Sequence, residues 1–223
     1  MTGFLLVMTL TSAMGWHFSV SESARAGENE AVTDYEAIVL GEKARITGNM
    51  GDFIIDIPGN RIFMTDPERK VYTEVDLKAW SKAAEKMKSA MAADTSAEVK
   101  VLRTSEKKEI LGKDAVKYNV LVNGSLEEEI WVREDLKAEE FLTFEKSVGK
   151  IFGKSFIREK IEKELRRLTS GLPVLTRSIS KGGEIYTSEI KKAERINIEQ
   201  KELLPPAGFK KVSPEAFFRM RGE

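Results

Sequence analysis

The side chains that most often carry out chemistry are nearly missing from this chain. It has no cysteine and one histidine, His17. A serine or cysteine nucleophile usually needs an imidazole beside it as base. His17 lies in an N-terminal apolar stretch that reads as removable, so no such pair is expected in the mature chain. Zinc, copper, haem and iron–sulfur sites lose their usual ligands for the same reason. A carboxylate-only calcium loop would read Asp-x-Asp-x-Asp-Gly, and none occurs. Neither a Gly-x-x-x-x-Gly-Lys-Ser/Thr phosphate loop nor a Gly-x-Gly-x-x-Gly turn appears. Paired carboxylates remain available among 36 acidic residues, but nothing singles out a pair. We therefore expect no enzyme, no cofactor and no metal. With 36 basic residues against 36 acidic ones, the chain lacks the positive excess of a nucleic-acid binder.

The residues with binding character are apolar. Trp80, Met87 and Met91 recur at helical spacing, and Phe141, Phe144, Val148, Phe152 and Phe156 crowd a second helical region. Two readings stand. Either these side chains seal a sheet, or flexible methionines and large rings line a cavity for an acyl chain, where each buried methylene gains about 0.8 kcal/mol. Lys146, Lys150, Lys154, Arg158, Lys160, Lys163, Arg166 and Arg167 surround the second region and would suit lipid phosphates. The interleaved Glu159, Glu162 and Glu164 point instead to a self-paired, solvated face.

The elements that hold these residues follow from periodicity. From Tyr35 to Val75, apolar residues alternate between turn signals such as Gly41-Glu42, Pro58-Gly59-Asn60 and Asp66-Pro67-Glu68, the pattern of an antiparallel meander. Asp76 caps a helix carrying Leu77, Trp80, Ala84, Met87 and Met91. Val99–Thr104 and Lys108–Leu111 read as strands. Val116–Val122 and Leu126–Val132 form a hairpin through a type I′ turn at Asn123-Gly124. Helices follow, with a break at Gly153, then a strand pair joined by Gly182-Gly183 and a short helix over Pro214–Arg221. The Pro205-Pro206 tail is irregular. This is an α+β chain: one strongly curved antiparallel sheet of about ten strands, an incomplete β-barrel, with helices covering its concave face.

Phe4–Val20 is mostly apolar and is followed by Ala24-Arg25-Ala26, the small-x-small pattern of a signal-peptidase site. Residues 1–26 are thus expected to be a signal peptide, cleaved after Ala26, and 27–223 a single domain. An uncleaved N-terminus would leave the protein membrane-associated.

Several segments together resemble a known group. Gly41-Glu42-Lys43-Ala44-Arg45-Ile46, the run Ile62–Tyr72, Leu111–Tyr118 with Glu129-Ile130-Trp131-Val132, Gly171-Leu172-Pro173-Val174 and Pro206–Val212 are similar to a bacterial exported family of unknown function. That family looks like a member of the outer-membrane lipoprotein carrier (LolA/LolB) superfamily. The resemblance implies a half barrel closed by helices in the periplasm, holding a lipid or lipoprotein acyl chains. Some relatives instead sense envelope stress by binding partner proteins. It carries no gate role onto Arg45. Two functions are therefore expected: a periplasmic, non-enzymatic protein binding a lipid or acylated partner, or an envelope protein-interaction module with a sealed core.

Overall fold

The computed structural model describes residues 12–49, 51–82, 96–152, 155–180 and 182–222. Alternation of apolar and polar residues drives most of them into strands. The described residues begin with six consecutive strands: β1 (Ser12–Ala26), β2 (Asn29–Leu40), β3 (Lys43–Gly48), β4 (Gly51–Asp56), β5 (Arg61–Asp66) and β6 (Val71–Asp76). Residues 77–82 are helical (α1), capped where Asp76 Oδ1 accepts the Ala79 N–H at 2.8 Å. Strands β7 (Val99–Ile110), β8 (Lys113–Val122) and β9 (Ser125–Arg133) come next, then helices α2 (Glu139–Phe152) and α3 (Phe156–Leu168). Strands β10 (Leu172–Ile179) and β11 (Ile185–Glu199), a 3-10 turn at Gln200–Leu203, β12 (Lys210–Lys211) and α4 (Pro214–Arg221) complete the fold.

The twelve described strands belong to one open, curved sheet in the order β12-β6-β5-β4-β3-β2-β1-β11-β10-β9-β8-β7. Every pairing is antiparallel except β12 beside β6. The α+β class and the unclosed barrel agree with the sequence reading, with more strands than the expected ten. The Asn123-Gly124 turn has positive φ at both residues (51° and 81°), as a type I′ turn requires. The two strands expected at 99–104 and 108–111 are one strand, β7, whose register shifts between Arg103 and Lys107. A bulge absorbs the break in alternation without ending the pairing.

The boundary expected after Ala26 falls at the end of a strand. Residues 12–26 form β1, hydrogen-bonded to β2 on one side and to β11 on the other, from Ser12 opposite Glu199 to Arg25 opposite Ile185. Trp16, Phe18 and Val20 are all buried on one face of it. Residues 12–20 of the apolar stretch cross the centre of the sheet, and Ala24 and Ala26 belong to a hairpin turning at Gly27-Glu28. Gly15 shows how close the neighbours are: a Cβ there would strike the Ile198 side chain and lie 2.5 Å from the Val39 carbonyl oxygen.

Register sets the faces. Val39 and Ala37 lie opposite Trp16 and Phe18, Ala44 opposite Val39, Ile55 opposite Ala44 and Ile62 opposite Ile55. On that face α2 covers the centre, with Phe144 buried among these residues. Helix α3 brings Ile161 and Leu165 onto Tyr118, Val120, Ile130 and Val132, and α4 brings Phe217 onto Ile62, Met64 and Val71. Helix α3 is also pinned by charge. Arg158 Nη1 donates to both oxygens of Glu128, at 2.8 and 3.1 Å, and the Glu128 side chain is only 6% exposed. The opposite face carries the tail: Arg45 pairs with Asp52 and donates to the Glu202 carbonyl at 3.1 Å, above a buried Leu203.

Two expectations follow. Phe18→Ala should cost about 3–5 kcal/mol in urea denaturation, because a buried ring is removed at the centre of the sheet, and a variant starting at Gly27 should fail to give a cooperative transition. Arg158→Met should cost about 2–3 kcal/mol by stranding a buried carboxylate, and adding Glu128→Gln should recover part of that loss.

Acid should act through carboxylates held below their ordinary range. Burial pushes Asp56 and Asp66 upward. Hydrogen bonds from the Gly59 amide and Arg61 with the charge of Lys43, and from the Arg69 amide and guanidinium, outweigh it and bring both down. Hydrogen bonds from Arg103 and Tyr118 lower Glu134, and one from Arg133 lowers Asp135. Lowered folded values stabilise the protein above the unfolded carboxylate pKa of about 4. The urea midpoint should hold steady from about pH 5 to 7 and fall progressively below about pH 4, with a shallower fall in Asp56→Asn.

Candidate functional site

A cleft lies between α2 and α3, and its shape follows from how each helix is seated. Helix α2 begins with Glu139 and Glu140, which favour the positive end of the helix dipole. Its apolar stripe rests on β1: the Phe141 ring lies 4.5 Å from that of Phe18, which itself stacks on Trp16 at 5.6 Å. Arg195 of β11 fastens the start of the helix, donating to Glu140 at 2.5 Å and to the Met14 carbonyl at 3.3 Å while lying over the Trp16 ring. Helix α3 starts at Ser155, whose hydroxyl accepts the Arg158 N–H. It is anchored by its own stripe, by Glu128 and by a 2.7 Å bond from Lys160 to the Ala97 carbonyl.

The helices are thus seated separately on the sheet. A cleft of about 910 Å3 runs between them, with Leu142 and Gly149 on the α2 wall and Glu159, Glu162, Lys163 and Arg166 on the α3 wall. Leu142 is half-buried against the central core. Lys146 and Arg167 extend the basic rim, with Glu139 and Glu145 among them. Part of this charge is already paired: Arg167 with Glu164 at 2.9 Å, and Glu162 with Arg158 at 3.5 Å. Four carboxylates and four cations surround Leu142 and Gly149, so the lining is charged but balanced. Among the described residues, no cluster of three or more histidine, aspartate and glutamate side chains is placed to hold a metal ion.

The residues singled out from sequence separate into groups. Phe141, Phe144 and Val148 come together, but as packing against the Trp16–Phe18–Val20 row, with Phe144 6% exposed. Phe156 is half-buried at the start of α3 under the Lys160 ammonium, 4.5 Å from its ring centre. Trp80 on α1 is exposed. Met87, Met91 and the side chain of Phe152 lie outside the described residues. Sequence reasoning missed Leu142 and Gly149, because neither stands out by type. It also missed Glu128 as the anchor of α3; the signal available was a lone acid in a strand face otherwise holding Ile130 and Val132.

Comparison with known proteins supplies a family. No curated protein matches the chain. Among solved structures, an uncharacterized conserved protein from Thermus thermophilus is similar over 89% of this chain and 90% of that one, with 9% identity and a TM-score of 0.48. The LolA superfamily protein NE2245 from Nitrosomonas europaea is similar over 85% and 90%, with 9% identity and a TM-score of 0.35. In the MucA/MucB complex structure from Pseudomonas aeruginosa the likeness covers 89% of this chain but 58% of the other, with 9% identity and a TM-score of 0.41. Residues 21–209 match the family described as Domain of unknown function (DUF4412), and the chain belongs to that family.

Proposed function

We propose that this is a non-enzymatic, carrier-like protein of the periplasm that holds a lipid or the acyl chains of a lipoprotein between α2 and α3. The observation that carries the reading is the cleft of about 910 Å3 between two helices seated independently on one sheet face. An acyl chain would lie along Leu142 and Gly149, with its anionic head among Lys146, Lys163, Arg166 and Arg167. Phe144 and Val148 would then act indirectly, as the packing that holds the α2 wall in place. The sequence resemblance to the lipoprotein carriers supports the same ligand class and the same compartment. In this reading the periplasmic form has β1 in place, since β1 pairs with both β2 and β11.

A second reading, a protein-interaction module of the envelope, is favoured by the outer edge of β7. This strand of 12 residues ends the sheet and carries no partner beyond β8 among the described strands.

Native mass spectrometry of protein recovered from the periplasm should show bound lipid, and a fluorescent fatty acid should bind the delipidated protein. Thr143→Trp, which places a ring in the cleft from an exposed position, should weaken the probe about tenfold without lowering the melting temperature. Lipid-free protein that ignores the probe would leave the interaction module as the better reading. Intact mass should place the N-terminus ahead of Ser12; a chain starting at Gly27 would contradict the retained strand.

A further inference from the structure

The sheet face that carries Trp16, Phe18 and Val20 changes character beyond Val20. Register aligns Thr33, Glu22, Ser188 and Thr176 in one row across β2, β1, β11 and β10. In the next row Ala31, Ala24, Tyr186 and Ser178 stand side by side. Strand spacing makes each row roughly 14 Å long and sets the two rows about 7 Å apart. Together they line a cleft of about 350 Å3 that shares no residue with the one between α2 and α3.

The lining is specific in its chemistry. Every residue of the cleft except Ala24 and Ala31 bears a hydroxyl or a carboxylate, and none bears a positive charge. Serine and threonine hydroxyls both donate and accept, so they suit a ligand with dense neutral donors and acceptors. Anions find no cation here, and a metal ion finds a single carboxylate, Glu22, already accepting the Tyr35 hydroxyl at 3.0 Å. The paired alanines form a depression between the taller side chains. Tyr186 is 48% exposed and its hydroxyl donates to Glu184 at 2.9 Å, which offers an oriented aromatic face. A long row of hydroxyls, one carboxylate acceptor and a flat ring are the groups that recognise the vicinal hydroxyls and C–H faces of a sugar.

We propose that this four-strand cleft binds a short neutral oligosaccharide. The inference does not depend on lipid binding between the helices. The test is isothermal titration of the full chain with maltotriose, cellotriose and triacetylchitotriose at millimolar concentration. At least one should bind. Tyr186→Ala should weaken that binding about tenfold and Thr176→Val about fivefold, with melting temperatures unchanged. Absence of heat with all three sugars, or binding that ignores both substitutions, would overturn the proposal.

Discussion

The pairing of β1 with β11 is the seam on which the rest of the molecule depends. Strands β1 to β6 run outward from it in one direction, and β11 back through β7 run outward in the other. Without the seam there would be two separate sheets, each with half a core. The residues that cross it make the point. Phe18 lies opposite Ala193, Trp16 beneath Arg195, and Gly15 leaves room for Ile198. Helix α2 is then held by both halves at once, through Phe141 on Phe18 and Glu140 on Arg195. The chain has no cysteine, so this seam is held without a disulfide, by hydrogen bonds, apolar contact and the Arg195 guanidinium over the Trp16 ring.

Much of the architecture was legible because period two is hard to mistake when turns are marked. The meander from Tyr35 to Val75 and the Asn123-Gly124 hairpin follow directly from alternation and from residues that tolerate positive φ. The strand at Ser12–Ala26 was not read from the sequence, and the reason is physical. A strand buried between two neighbours and beneath a helix shows a nearly continuous apolar run, as a signal peptide does. Trp16, Phe18 and Val20 alternate with Ser19 and His17, but that alternation is short and ends in small residues. The β7 bulge was missed for a related reason: the strand spends four residues from Arg103 to Lys107 against two from Tyr118 to Val116, and the residues between interrupt the run of paired positions.

Site residues were less legible than strands. Large aromatic residues attract notice, yet Phe141 and Phe144 are spent on seating α2, as the burial of Phe144 shows. Space arises instead where side chains are modest, beside Leu142 and Gly149 or over Ala24 and Ala31. Such positions are conspicuous only once register and helix placement bring them together. Arg45 makes the same point from the other side. It faces away from the helices and fastens the tail through Asp52 and the Glu202 carbonyl.

The seam also has a consequence for how the chain is assembled in time. Strand β11 leaves the ribosome long after its partner β1. Ser12 must meet Glu199, a contact of very high sequence separation, the kind whose loop-closure entropy slows folding. Until then β1 is paired on one edge only, so a nascent chain stays open and is kept loose by its own connectivity. Export to the periplasm, as proposed above, would thread the polypeptide across a membrane before it folds, and strand order would then supply the delay that threading needs.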